Sequence, residues 1–205
     1  MRFSQIATSF PATVTWSGTD ASGVAAYAAW LNTNGAWSRL TLATPTSRSV
    51  AITLTPGSGY RLAVAGLDTK GNWGNARITS TFGVAITQEN GAHATYSSGW
   101  TRKAWAAASG GYLMSSGTAT ASATFTLTGS SVGWVAAKGP TKGVAKVYLD
   151  GVLYKTVDLY AAAYSGRVIA ASYAWSAQGT HTIKVVVSGT AGRPTVDVDA
   201  FVVAG

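Results

Sequence analysis

The sequence predicts an all-β chain built as two β-sandwich bodies, over residues 1–86 and 87–205. Three observations lead there. Short runs of alternating apolar and polar residues recur along the chain, separated by Gly, Pro, Asn and Asp turn signals. No stretch carries the long 3.6-residue apolar stripe that a helical bundle needs. Charged residues make up only 11%, under half of the roughly 25% usual in soluble domains, while 47% of the 205 residues are hydrophobic and 24 are Gly. That much apolar surface excludes disorder through lack of burial, and no apolar run approaches the ~18 residues of a membrane-spanning helix.

In the first half, Thr13-Val14-Thr15-Trp16 alternates and stops at Ser17-Gly18-Thr19-Asp20. Val24 to Leu31 is a second strand, ending in Asn32-Thr33-Asn34-Gly35, and Ala36 to Leu42 returns from it. Asn-Gly supplies two residues tolerant of positive φ, as a tight hairpin requires. Ser49 to Leu54 places Val50, Ile52 and Leu54 on one face. Pro56-Gly57-Ser58-Gly59 then turns the chain into a strand over Tyr60 to Leu67, and a last strand runs from Ala76 to Val84.

The run Leu54-Thr55-Pro56-Gly57-Ser58-Gly59-Tyr60 resembles the Leu-x-Pro-Gly-x-x-Tyr corner of fibronectin type III domains. Trp16 falls where that family keeps its core Trp, and Ala63-Val64-Ala65-Gly66-Leu67-Asp68 is similar to its strand F. The resemblance implies a seven-stranded sandwich over about residues 10–85, with the Tyr60 hydroxyl bonded back across the corner. It implies no function. In such a sandwich the loop 20–23 lies near the loop 70–75, and Trp73 either offers a contact point there or folds over the sheet edge.

Gln88-Glu89-Asn90-Gly91 breaks the pattern and marks the junction. Beyond it, Ala121 to Thr128, Val132 to Ala137, Val144 to Leu149, Val152 to Tyr160, Val168 to Tyr173, His181 to Val187 and Thr195 to Val203 all read as strands. Asp150-Gly151 between two alternating runs signals a hairpin. The stretches Tyr96-Ser97-Ser98-Gly99-Trp100, Val147-Tyr148-Leu149-Asp150-Gly151-Val152, Gly179-Thr180-His181-Thr182-Ile183 and Val196-Asp197-Val198-Asp199-Ala200-Phe201 stand in the order found in a galactose-binding-like jelly roll. This second module resembles the jelly rolls appended to bacterial extracellular enzymes and surface proteins. The resemblance implies either sugar binding or plain packing.

Catalysis is not expected. There is no Cys, so thiolate chemistry and disulfides are excluded. The two histidines sit where they pack or cap (His181) and lie exposed in the junction (His93), and no His-Glu-x-x-His or phosphate loop appears. The Gly-x-Ser-x-Gly run at Gly129-Ser130-Ser131-Val132-Gly133 lies between two strands with no helix after it, so it does not form a nucleophile elbow. Paired carboxylates for glycoside hydrolysis would have to come from Asp20, Asp68, Glu89, Asp150, Asp158, Asp197 and Asp199, most of which sit in turns. The net charge of +8 is spread evenly between the halves, with Arg102-Lys103 as its one adjacent basic pair. Such a diffuse field favours anionic surfaces and supplies no device for reading nucleic acid.

Aromatic residues carry the ligand signal, since sugar rings present apolar C–H faces that aromatic rings can cover. Trp100, Trp105, Tyr148, Tyr160, Tyr164 and Trp175 of the second module are the candidate contacts, with Trp73 in the first; Trp134 shares its face with Val132 and Ala136 and belongs to the core. Asp197 and Asp199 lie on one face of the last strand, where two carboxylates repel unless a cation lies between them. The jelly-roll resemblance implies a structural calcium ion held by Asp199, with Asp197, Glu89 and backbone carbonyls. The alternatives are a hydrogen-bonded anchor or a salt bridge.

The expected function is non-catalytic adhesion to a polysaccharide or cell-surface glycan through the jelly roll, with the first sandwich as spacer, outside the cell or at its surface. The alternative is a structural subunit of a fibre, filament or virion appendage. Met1-Arg2-Phe3-Ser4-Gln5 does not open a signal peptide, so the chain is expected to be a piece of a longer exported protein or to leave the cell by another route such as lysis.

Overall fold

A computed structural model of the chain describes Ile6 and residues 8–205; residues 1–5, on which the expectation about a signal peptide falls, and residue 7 lie outside the described residues. Among the described residues the chain is all-β, with helix confined to a single 3-10 turn at Ser109–Gly111. It divides into two compact units at Val84 and Ala85, inside one strand.

The first unit, residues 8–84, opens with β1 (Phe10–Thr15), β2 (Val24–Thr33) and β3 (Ala36–Leu40). β4 (Ser49–Leu54), β5 (Gly59–Asp68), β6 (Arg77–Ile78) and the start of β7 (Phe82–Gln88) complete it. β1 pairs antiparallel with β4 in one sheet. The other sheet is built on β2, which pairs with β3 through the Asn34-Gly35 turn and with β5, while β6 and β7 pair with β5 in turn. The expected corner bond forms: the Thr55 N–H donates to the Tyr60 hydroxyl at 2.7 Å, and the Tyr60 ring is buried with Leu54, Leu62 and Ala65. The expected strand over 76–84 is interrupted, because Thr79 leaves β6 to hydrogen-bond Leu62 through both its backbone N–H and its hydroxyl. The loop at 20–23 meets Thr69, the residue just before the loop at 70–75, through a Thr69 hydroxyl bond to the Ser22 carbonyl and a 3.2 Å bond from Thr69 N–H to the Gly23 carbonyl.

The second unit begins within β7 and continues with β8 (Ala94–Tyr96), β9 (Thr101–Ala104) and β10 (Tyr112–Ser116). Next come β11 (Ser122–Lys138), β12 (Val144–Leu149), β13 (Val152–Asp158) and β14 (Ser165–Val187). β15 (Val196–Val198) and β16 (Ala200–Ala204) end the chain. One sheet runs β13-β12-β14-β11-β16, with β8 also on β11, and a smaller sheet runs β15-β10-β9. Apolar side chains of both fill the space between them, among them Phe125 and Phe201 stacked at 4.4 Å, Trp134, Val147, Ile183, Val185, Val196 and Val198. The sequence reads four strands where the structure has two long ones. Gly129 and Ser130 do not end a strand: a bulge between Gly129 and Ser131 absorbs them, and β11 and β14 stay paired on both sides of it.

Candidate functional site

One end of the second unit carries a pocket of about 310 Å³, assembled from four short segments. The end of β9 supplies Lys103 and, just beyond it, Trp105; the turn between β11 and β12 supplies Thr141 and Lys142; the approach to β14 supplies Tyr164; and β15 supplies Asp197. Leu113, Ser115, Ala137 and Thr195 line the rest.

Each polar or aromatic group there is fixed by its surroundings. Trp105 starts a turn closed by its N–H bond to the Gly111 carbonyl at 2.9 Å, and its ring packs on Ala108, Leu113 and Ala137. The ring also reaches Gly166, where a Cβ would sit 3.1 Å from its edge. Tyr164 lies across Gly139, where a Cβ would overlap its ring. Its hydroxyl meets the Thr141 hydroxyl at 2.8 Å, and the side chain stays 56% exposed at the pocket mouth. The pocket thus has one aromatic ring held against the core and a second standing in solvent.

Asp197 forms the polar floor. Its side chain is fully buried, and the Trp134 indole N–H fixes its backbone through a 3.1 Å bond to its carbonyl. Lys142, itself largely buried, pairs with Oδ2, and Oδ1 has no protein donor. Burying an ion pair is costly unless the remaining lone pairs find donors. Oδ1 therefore keeps an unmet demand for a donor at the floor of the pocket.

A second polar cluster surrounds Asp199, where the chain leaves β15 for β16. Asp197 and Asp199 take separate partners: Asp197 turns to Lys142, and Asp199 turns to the Ser109–Gly111 turn. Asp199 Oδ1 accepts the Ser109 N–H at 2.8 Å, while Oδ2 is buried without a donor. Burial, with the Glu89 charge adding to it, pushes the Asp199 carboxyl up to about 7 against the lowering effect of the Ser109 N–H. Gln88 reaches the same turn by a 3.1 Å bond from its Nε2 to the Ser109 hydroxyl, and its Oε1 is likewise buried without a donor. Glu89 is buried, gives its N–H to the Asp199 carbonyl at 3.1 Å, and receives Arg102 Nε on Oε1 at 2.7 Å.

Buried oxygens without donors beside an acidic group are the chemistry of a hard cation site. Arg102 pairs with Glu89, while Asp199 Oδ2 and Gln88 Oε1 stay buried without donors. Among the described residues no group of three His, Cys, Asp or Glu side chains converges to hold a metal.

The remaining sequence candidates do not line the pocket. Trp100 packs on the core beside Tyr96, with ring centroids 5.4 Å apart. Trp175 stacks on His181 at 3.8 Å and donates its indole N–H to Asp150 at 3.1 Å, and Asp150 also accepts His181 and the Thr182 N–H. Tyr148 is half-buried on β12, between buried Val147 and Leu149. Trp73 is 53% exposed and bridges to Leu67 in the first unit. Tyr160 is exposed beside Gly139, with which its backbone forms a bridge. So of the predicted contacts, Trp105 and Tyr164 share the pocket, and Asp197 joins them. Sequence reasoning missed Lys142, Thr141 and the two glycines that seat the rings. The Gly139-Pro140 and Gly143 turn signals were the one trace of that loop.

No protein-family model and no curated protein matches the chain. Among solved structures it is similar to a family two carbohydrate esterase from Cellvibrio japonicus, at 10% identity and TM-score 0.47, over 60% of this chain and 34% of that one. It is similar to a two-domain esterase active on acetylated mannans, at 12% identity and TM-score 0.48, over 60% of this chain and 36% of the esterase. A further neighbour is the CBM36-1 domain of a multidomain xylanase from the hindgut metagenome of Trinervitermes trinervoides, at 15% identity and TM-score 0.39, over 60% of this chain and 96% of that domain. The chain spans about a third of the length of the two esterases. These neighbours are carbohydrate-binding and carbohydrate-active domains.

Proposed function

We propose that the chain is a non-catalytic glycan-binding protein whose second unit holds sugar in the Trp105–Tyr164–Asp197 pocket. The observation that carries this reading is the buried Asp197 carboxylate, with an oxygen that has no protein donor, in a pocket that Trp105 and Tyr164 also line. Trp105 and Tyr164 would cover the C–H faces of a sugar ring, Asp197 Oδ1 would accept its hydroxyls, and Lys142, Thr141 and Ser115 would donate to its oxygens. Hydrolysis of a glycosidic bond needs two carboxyl groups, and Asp197 is the one carboxylate among the described residues lining the pocket. That supports binding over bond breaking.

The same reading places the protein outside the cell or at its surface, on a polysaccharide or cell-surface glycan. The first unit acts as a fibronectin type III-like spacer, supported by the Tyr60 corner bond. A calcium ion, where bound, would be held by Asp199 and Gln88 beside Glu89 and would have a structural role, neutralising Asp199 and bracing the Ser109–Gly111 turn. Affinity electrophoresis through xylan, mannan, cellulose and α-1,3-glucan tests the assignment. Retardation by at least one polysaccharide, abolished in Trp105→Ala, is expected. No retardation by any of them, together with polymers on size-exclusion chromatography, would favour a fibre or virion subunit instead.

A further inference from the structure

Beside the pocket stands a third ring that neither the core nor the pocket uses. Tyr160 is 53% exposed. Its backbone is pinned by the bridge to Gly139 and by a 2.9 Å bond from its N–H to Asp158 Oδ1, so its place owes nothing to packing of the ring. Gly139 is also the residue over which Tyr164 lies. One glycine therefore has the pocket ring on its side-chain face and the Tyr160 strand segment on its backbone edge.

Arg193 backs the Tyr160 ring. Its guanidinium lies 5.3 Å from the ring centroid, grips Asp158 with both terminal nitrogens at 2.5 and 2.8 Å, and donates to the Lys142 carbonyl at 2.9 Å. With both terminal nitrogens engaged, the guanidinium is a fixed support under the ring, and the ion pair draws the Asp158 carboxyl below the usual carboxylate range. The same Arg193 thus ties the exposed ring to the backbone of the pocket's own lysine. A rigid, exposed aromatic ring contiguous with a sugar pocket has the form of a stacking platform.

We propose that Tyr160 is a second sugar subsite, so that the site engages two or more consecutive units of a glycan chain, with one unit in the Trp105–Tyr164 pocket and the next on Tyr160. This rests on the glycan-binding reading above. The test is calorimetric titration of the full chain with xylo-, manno-, cello- and α-1,3-gluco-oligosaccharides of one to six units. For the series that binds, wild-type affinity is expected to rise about tenfold between one and three units, which corresponds to about 1.4 kcal/mol. Tyr160→Ala is expected to lose that rise and keep the single-unit affinity and melting temperature, and Tyr160→Phe to retain it.

An unchanged length dependence in Tyr160→Ala overturns the second subsite while leaving the pocket reading intact. Equal loss for one unit and for six also overturns it, since Tyr160 would then only brace the pocket. If no series binds the wild type, or if Trp105→Ala binds as the wild type does, the pocket reading fails and takes the subsite with it.

Discussion

Asp197 and Lys142 illustrate how a single buried pair sets both stability and recognition. Each offsets the other's charge, so removing one leaves the partner uncompensated in a place with little water. Asp197→Ala is expected to lower stability by about 3 kcal/mol, read as a drop in melting temperature. Asp197→Leu combined with Lys142→Met should recover most of that loss while glycan retardation stays absent. Recovery of binding in the double variant would show that the pair does not recognise ligand.

Asp199 makes a different prediction, because burial and the Glu89 charge raise its carboxyl in the folded state against the lowering effect of the Ser109 N–H and of Arg167. A raised acid binds its proton more tightly folded than unfolded. Its contribution is therefore full below the unfolded value near 4 and is lost as pH rises through about 7. In chelator, stability should fall between pH 4 and pH 7 by a few kcal/mol at most and level off above, read as a lower melting temperature. Asp199→Asn should flatten that slope. Calcium should raise the melting temperature at pH 8 in the wild type and leave Asp199→Asn unmoved, and equal responses in both proteins would remove Asp199 from any metal site.

Among the elements, what the sequence made legible is what local chemistry dictates. The Asn34-Gly35 and Asp150-Gly151 turns, the Ser49–Leu54 strand and the Tyr60 corner all follow from residues adjacent in the chain. Replacing Tyr60 with Phe is expected to cost about 1 kcal/mol in thermal unfolding, since Thr55 N–H loses its acceptor. The length of β11 and β14 was not legible, because a Gly-Ser pair reads as a turn until a partner strand continues past it. The site was half legible for the same reason. Trp105 and Tyr164 announce themselves as exposed-type aromatics, but Lys142 meets Asp197 across 55 positions of sequence, and that encounter exists only after β15 is laid down beside the β11–β12 turn. Gly139 is the link between element and site. Gly139→Ala should push Tyr164 out of the pocket mouth and weaken glycan retardation by about tenfold, with only a modest change in melting temperature. A loss of the whole fold instead would mean that the turn, and not the ring above it, requires the glycine.

At the scale of the whole molecule, every residue of the pocket, the Tyr160 platform and the Asp199 cluster belongs to the unit from Ala85 onward. The first unit contributes its own buried set, from Phe10 through Leu54, Tyr60 and Leu62 to Val84, and shares none of the site residues. A body with its own core folds alone when its chain is not cut through a strand. The division falls inside β7, so a fragment that keeps this strand whole, residues 82–205, retains the Gln88 and Glu89 contacts with Ser109, Arg102 and Asp199. That fragment is expected to fold cooperatively and to bind the same oligosaccharides within about twofold of the full chain, because additivity holds for sites without shared partners. A loss of tenfold or more would mean that the first unit takes part in recognition, and its role as a spacer would have to be abandoned.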